Sequence, residues 1–206
     1  MSDTSGSILD AAVDADPATL AVRQAAFRSI LAGQTIDEAR IAELTGLDAA
    51  MVRSAVDRLV AAGIATTDDC RGEQRSVDGS EGLTVRTSRH SISISGKDLF
   101  TWCAFDVVGI PAALGLDTRG STRCPTCGAR IELMVSKGEV VDTGAVGWWP
   151  AATGGPVIEA FCPSASSFCN LSHLEEWREA TGAQGAPRTL MELAGAGRIT
   201  WAGFRD

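Results

Sequence analysis

The chain has 206 residues, of which 45% are hydrophobic and 21% charged, and a formal net charge of −8. That is enough apolar side chain for a core, and the acidic balance argues against nucleic acid, whose phosphates are bound by Lys and Arg. No apolar run approaches the roughly 20 residues of a membrane span, and residues 1–17 have neither the basic start nor the apolar centre of a secretory leader, so the expected location is the cytoplasm.

The opening segment to Pro17 is polar, lacks periodicity and is expected to be loose. Residues 18–32 place Leu20, Ala25, Phe27, Ile30 and Leu31 on one stripe, which predicts an amphipathic helix ending at Gly33. Thr35, with Glu38 three residues later, reads as a capping box for a second helix to Leu44. Thr45-Gly46-Leu47 reads as a turn. Asp48 caps a third helix, with Val52, Val56, Leu59 and Val60 on one face, and Gly63 ends it. Three helices with this turn form a helix-turn-helix pattern. Residues 64–67 and 83–86 would supply a winged hairpin around a polar loop. DNA readers carry a basic stripe, yet residues 34–64 hold five acids (Asp37, Glu38, Glu43, Asp48, Asp57) and three bases (Arg40, Arg53, Arg58). A structural or docking role is the expectation for this module.

Further along, residues 88–95 alternate as a half-buried strand with Ile92 and Ile94 inward. Residues 97–114 are apolar. Their first half suits a helix, and Pro111 marks a break or a new first turn. Residues 130–135, 139–142 and 157–162 read as strands, and residues 146–150 carry Trp148 and Trp149. Asn170 or Ser172 caps a helix to about Ala180. Residues 182–187 read as a linker, and residues 189–194 as a short last helix. The expected fold is α+β: an N-terminal helical, winged-helix-like module over residues 1–85, then a small mixed sheet with helices over residues 86–206.

The chemistry concentrates in six cysteines, Cys70, Cys103, Cys124, Cys127, Cys162 and Cys169, beside two histidines and no tyrosine. In a reducing compartment these are thiols, metal ligands or catalytic groups rather than disulfides. Cys103 and Asp106 are three apart, one helical turn. A carboxylate opposes ionisation of a thiol beside it, and burial raises both pKa values. The pair makes sense where a carboxyl must hold and deliver a proton, or where a bound cation supplies positive charge. The blander reading is a small buried hydrophobe and a capping Asp. Cys124-Pro-Thr-Cys127-Gly128 is a CxxC knuckle, half of many structural zinc sites. Cys162 and Cys169 are the candidates for the other two ligands, with His173 as a spare. Cys70 reads as an incidental surface thiol, and neither His90 nor His173 is expected to act directly.

Leu99-Phe-Thr-Trp-Cys-Ala-Phe-Asp106, continuing Val-Val-Gly-Ile-Pro-Ala-Ala-Leu114, resembles the segment of the organomercurial (alkylmercury) lyase family that holds the first catalytic cysteine and the catalytic aspartate. Ala160-Phe-Cys162, followed by Leu174-Glu-Glu-Trp177, resembles its second cysteine segment, and Ser121-Thr-Arg-Cys124 a segment with a structural cysteine. The resemblance runs from about Arg86 to Trp177. It implies that Cys103 and Cys162 bind mercury and that Asp106 is the proton donor in cleavage of a carbon–mercury bond, within a catalytic domain that follows a winged-helix-like module. It further implies no required organic cofactor, Hg(II) as bound product, and small thiols or a mercuric reductase as acceptor. Trp102, Phe105 and Phe161 would shelter the organic group. Pro163 stands where some members have a further cysteine, and Cys127 and Cys169 are additions to the family pattern. The other reading is a non-enzymatic soft-metal protein with structural zinc on Cys124, Cys127, Cys162 and Cys169. Cys162 discriminates, because one thiolate cannot serve both a closed zinc site and an open mercury site.

Overall fold

A computed structural model describes residues 16–68, 75–151 and 154–205. Cys70 and the opening segment, on which two expectations fall, lie outside the described residues.

Helix α1 (Pro17–Leu31) starts where Asp16 accepts the Thr19 amide and Pro17 takes the first turn, a position that needs no N–H donor. It buries Val22, Ala26, Phe27 and Ile30. Strand β1 (Ile36–Asp37) precedes α2 (Glu38–Thr45), and α3 (Ala49–Ala61) follows the left-handed Gly46. Asp48 caps α3 as the sequence indicates. The cap of α2 differs from expectation: Asp37, not Thr35, receives the Arg40 amide, at 2.7 Å. Two acceptors two residues apart compete here, and pairing of β1 with β3 (Ser76–Ser80) holds Ile36 and Asp37 extended.

Strands β2 (Ala65–Asp68), β3, β4 (Leu83–Thr84), β5 (His90–Ile94), β6 (Lys97–Thr101), β7 (Thr118–Arg123), β8 (Arg130–Ser136) and β9 (Glu139–Val140) join β1 in one sheet, ordered β1-β3-β4-β6-β5-β7-β8-β9 with β2 on β3. β10 (Val146–Pro150) is flanked by β11 (Ser167–Phe168) and β12 (Gly185–Thr189) in a second, three-stranded sheet. Among the described residues every pairing is antiparallel rather than mixed, as short hairpin connections require. The larger sheet is continuous past residue 85, since β4 pairs with β6.

Two expected elements change type. Residues 97–101 form β6 rather than the start of a helix, because Ser95 (φ 51°) and Gly96 (φ 77°) make the tight turn that folds β6 back on β5. Residues 157–160 form helix α5 (Val157–Ala160), not a strand, and Phe161 and Cys162 both donate to the Val157 carbonyl. A short apolar run does not distinguish strand from buried helix by period alone. The expected linker before the last helix is β12, and that helix, α7 (Leu190–Thr200), is longer than the sequence suggested.

The centre of the molecule is α4 (Ala104–Leu114), buried from Ala104 to Ala113. It runs through Pro111 without a break, since packing on every face outweighs one missing hydrogen bond. Helix α7 crosses it at Gly109 and Gly197, where a Cβ on Gly197 would sit 2.3 Å from the Gly109 Cα. Only glycine at that crossing lets the backbones meet so closely. The core spans both parts of the chain, from Phe27 and Ile30 to Val108, Phe168 and Trp201. Each such large apolar side chain contributes roughly 1.5–3 kcal/mol on burial. α6 (Leu171–Thr181), capped by Asn170, closes the fold beside β10 and β11.

Candidate active site

Cys103 ends the stretch after β6 and is the N-cap of α4, with extended backbone (φ −146°, ψ 172°). Asp106 is the third residue of the helix and accepts the Cys103 amide on Oδ2 at 2.9 Å. The three-residue spacing is thus a capping arrangement rather than two positions within one helix. It turns both side chains towards the same point. Cys162 reaches that point from the turn after α5. The thiol sulfurs of Cys103 and Cys162 and a carboxylate oxygen of Asp106 all lie within 4.8 Å of one another. All three residues are buried.

Several contacts fix this geometry. The Ala104 amide donates to the Ala165 carbonyl at 3.1 Å, joining the start of α4 to the turn that follows Cys162. Arg89 donates to the Pro163 carbonyl at 3.2 Å and to His90 Nε2 at 2.9 Å. The Thr101 hydroxyl donates to the Cys103 carbonyl at 2.9 Å. Since Arg89 is a donor only, His90 accepts on Nε2 and donates from Nδ1 to Thr122, 2.8 Å away. Burial, then the Arg89 charge, lowers the His90 pKa to about 4, so the ring is neutral and structural.

Asp106 packs against the turn between β3 and β4. Glu81 (φ 56°) and Gly82 (φ 93°) form a hairpin turn with two left-handed residues. A Cβ on Gly82 would lie 2.8 Å from the Asp106 Cγ, so glycine gives the carboxyl its room. The turn is anchored from the N-terminal helices: Arg23 makes a two-pronged pair with Glu81 at 2.7 and 3.0 Å, both side chains being fully buried. Trp201 donates to the Glu81 carbonyl at 2.9 Å. The sequence placed this turn at the end of a polar loop, and no local pattern joined that loop to Asp106.

The electrostatics favour protons here in the absence of a cation. Burial first, then the Cys162 hydrogen bond and the Asp106 charge, holds the Cys103 thiol well above its ordinary pKa. Burial raises Asp106 to about 7 despite the amides that favour its charged form. A carboxyl poised there holds a proton near neutrality and releases it readily, as a general acid must. Phe105, which precedes Asp106 in the chain, and Phe161, which precedes Cys162, pack edge to face with each other and with Trp149, with ring centres 5.0 to 6.1 Å apart.

Cys124 and Cys127 do not join this group. They meet Cys169 and His173 in a separate cluster with ligating atoms within 4.8 Å of one another. The four-cysteine set weighed as the other reading of the sequence therefore differs at one ligand: Cys162 lies with Cys103 and Asp106, and His173, held there as a spare, takes its place. The sequence signal for this was the CxxxH spacing of Cys169 and His173. Burial opposes ionisation of Cys124, but the amides of Cys127, Cys169 and Thr126 aim at its sulfur and bring its pKa to about 6.

The model of the alkylmercury lyase family matches residues 83–201. The alkylmercury lyase of Pseudomonas putida is 34% identical over 93 residues, covering 43% of this chain and 40% of that protein. The alkylmercury lyase of Streptomyces lividans is 29% identical over 143 residues, covering 68% and 60%. The chain thus spans about half the length of these curated relatives. A solved structure of the mercury-bound form of MerB2 shares the fold, with a TM-score of 0.83 over 93% of both chains at 24% identity. The match across the segments that hold Cys103, Asp106 and Cys162 is decisive: this chain belongs to the alkylmercury lyase family.

Proposed function

We propose that the protein is an organomercurial lyase that cleaves carbon–mercury bonds by protonolysis, with Cys103 and Cys162 as mercury ligands and Asp106 as proton donor. The observation that carries this reading is the buried convergence of two thiols and one carboxyl within 4.8 Å. Soft metals prefer thiolate ligands. The substrate R–Hg–X exchanges X for the Cys103 sulfur, and the thiol proton passes to Asp106 as X⁻ departs. Cys162 then adds to mercury and its proton leaves with X⁻ as HX. Two thiolates push electron density into the Hg–C bond, and Asp106 protonates the carbon as that bond breaks. The products are R–H, Hg(II) held by two sulfurs, and HX. No organic cofactor enters this balance, and exchange with small thiols or a mercuric reductase in the cytoplasm would remove the metal.

Trp149 joins Phe105 and Phe161 as the wall that shelters R and excludes water. We read residues 1–85 as a winged-helix-like module that supports the site through Arg23 and Glu81 rather than reading DNA. Its arginines support this, since Arg40, Arg53, Arg58 and Arg75 each face an acid of the same module. The test is incubation with phenylmercury and excess thiol. Thiol-dependent release of benzene is the expected result, and binding of phenylmercury without benzene would leave only a mercury-binding protein.

A further inference from the structure

The second cysteine cluster lies where three elements meet. Cys124 and Cys127 occupy the loop from β7 to β8, Cys169 directly follows β11, and His173 is in the first turn of α6. Cys124 Sγ is 3.6 Å from His173 Nδ1, and Cys127 Sγ is 3.6 Å from Cys169 Sγ. Zinc with bonds of about 2.3 Å to sulfur and 2.0–2.1 Å to nitrogen gives a tetrahedron with S···S edges of about 3.8 Å and S···N edges of about 3.6 Å. These two separations lie within about 0.2 Å of those edges, and all four ligating atoms lie within 4.8 Å of one another.

The arms of the cluster are set by backbone rather than by the side chains alone. Gly128, at φ 72°, donates to the Cys124 carbonyl at 2.9 Å and closes the knuckle. The Thr126 hydroxyl donates to the His173 carbonyl at 2.6 Å, which docks the knuckle on α6. Asn170 accepts the His173 amide at 2.9 Å and fixes the first turn of that helix. The spacings, CxxC and CxxxH, each place two ligands on one short turn.

We propose that Cys124, Cys127, Cys169 and His173 bind one zinc ion in a closed, structural site. Three thiolates and a neutral imidazole fill four tetrahedral positions, so no position remains for substrate or activated water. Binding would displace the thiol protons and tie the β7–β8 loop to the start of α6, contributing directly to folding. The site also bears on Cys162, which lies seven residues before Cys169 in the same segment. A metal holding Cys169 limits how far that segment can drift from α4. The inference does not depend on the lyase reading, because its four residues form a cluster separate from Cys103, Asp106 and Cys162.

The test uses the full chain, produced under reducing conditions with zinc and without mercury. Elemental analysis is expected to find about one zinc per chain in the parent, in Cys103→Ser and in Cys162→Ser, and less than a tenth of that in Cys127→Ser and His173→Ala. Cobalt(II) exchanged into the parent is expected to give the intense bands of a tetrahedral thiolate site. Should the knuckle variants not fold, the parent carries the test: a chelator is expected to lower its melting midpoint, and zinc but not magnesium to restore it. A parent that holds no zinc after reconstitution overturns the proposal. Zinc lost in Cys162→Ser but kept in Cys127→Ser overturns it too.

Discussion

The two sulfur clusters of this protein are built from similar parts and differ in the group that joins the sulfurs. Around Cys103 and Cys162 the third group is a carboxyl, all three residues are buried, and their chain neighbours Phe105 and Phe161 pack ring against ring. Around Cys124, Cys127 and Cys169 the remaining group is an imidazole, and Cys127 is exposed. Two thiols and an acid leave a metal under-coordinated and put a proton beside it. Three thiols and an imidazole complete a tetrahedron and supply no proton. On the proposed reading, the non-sulfur member, more than the number of cysteines, separates a site for chemistry from a site for holding the chain together.

The strongest way to break this comparison is to remove a sulfur from each cluster. Cys103→Ala and Cys162→Ala are each expected to abolish hydrocarbon release from phenylmercury while folding and zinc content persist. Folded Cys127→Ser is expected to keep turnover within a factor of about ten, because general positioning rather than a reacting group is lost. Gas chromatography of benzene with parallel circular dichroism decides this. Turnover in either alanine variant would remove that cysteine from the mechanism.

Asp106 sharpens the same contrast. Asp106→Asn keeps shape but has no acidic proton, so single-turnover release of R–H should slow by about 10² to 10⁴. Mercury titration of the variant should still find a bound equivalent. Cleavage at the parent rate would place the proton elsewhere, and failure to bind would make Asp106 a ligand.

The pH dependence of stability should also differ between the clusters. The folded pKa of Asp106, about 7, is above its unfolded value. Its contribution is therefore complete below about pH 4, is lost as pH rises to about 7, and is flat beyond. The full span is at most roughly 4 kcal/mol. His90 acts in the opposite sense: its pKa is depressed to about 4, so its share is present above about 6.5 and is lost as pH falls. The difference between Asp106→Asn and the parent isolates the carboxyl. In urea unfolding at pH 5 and pH 8, the variant should gain stability over the parent at the higher pH, and Cys127→Ser should not. An unchanged difference across pH would mean that Asp106 titrates normally.

The smallest effect expected is at Gly82. Alanine there meets both a left-handed φ of 93° and the Asp106 carboxyl at 2.8 Å. Gly82→Ala should cost about 1–3 kcal/mol, more than the strain of φ alone. It should also lower kcat with little change in zinc. A fully active variant with unchanged melting would show that the turn does not position Asp106.

Much of this molecule was legible without its coordinates. The caps of α1, α3 and α6 rest on local chemistry, and for that reason the sequence named Asp48 and offered Asn170 beside Ser172, of which the structure takes Asn170. The Cys103–Asp106 pairing was legible from its three-residue spacing, read as one helical turn, and the structure makes it a capping interaction across the same three residues. Strands β3 and β7 were missed, since Ser76–Ser80 and Thr118–Arg123 are largely polar and are strands through their partners. The Ser95-Gly96 turn carried the signal for β6, and the apolar run around it masked that signal.

What the sequence determined by itself was therefore short-range: the starts of α3 and α6, the acidic balance, the six thiols, and the motif segments of the family. Which thiols share a pocket was decided only by tertiary structure. Cys162 and Cys169 are seven positions apart, yet the turn after α5 sends one to Asp106 and β11 delivers the other to His173. Nor did spacing show that Arg23, on the first helix, anchors the turn that makes room for Asp106. Local chemistry sets the conformation of a few neighbouring residues. Contacts across the core set which distant residues meet, because only the packed chain fixes the path of the turns between them.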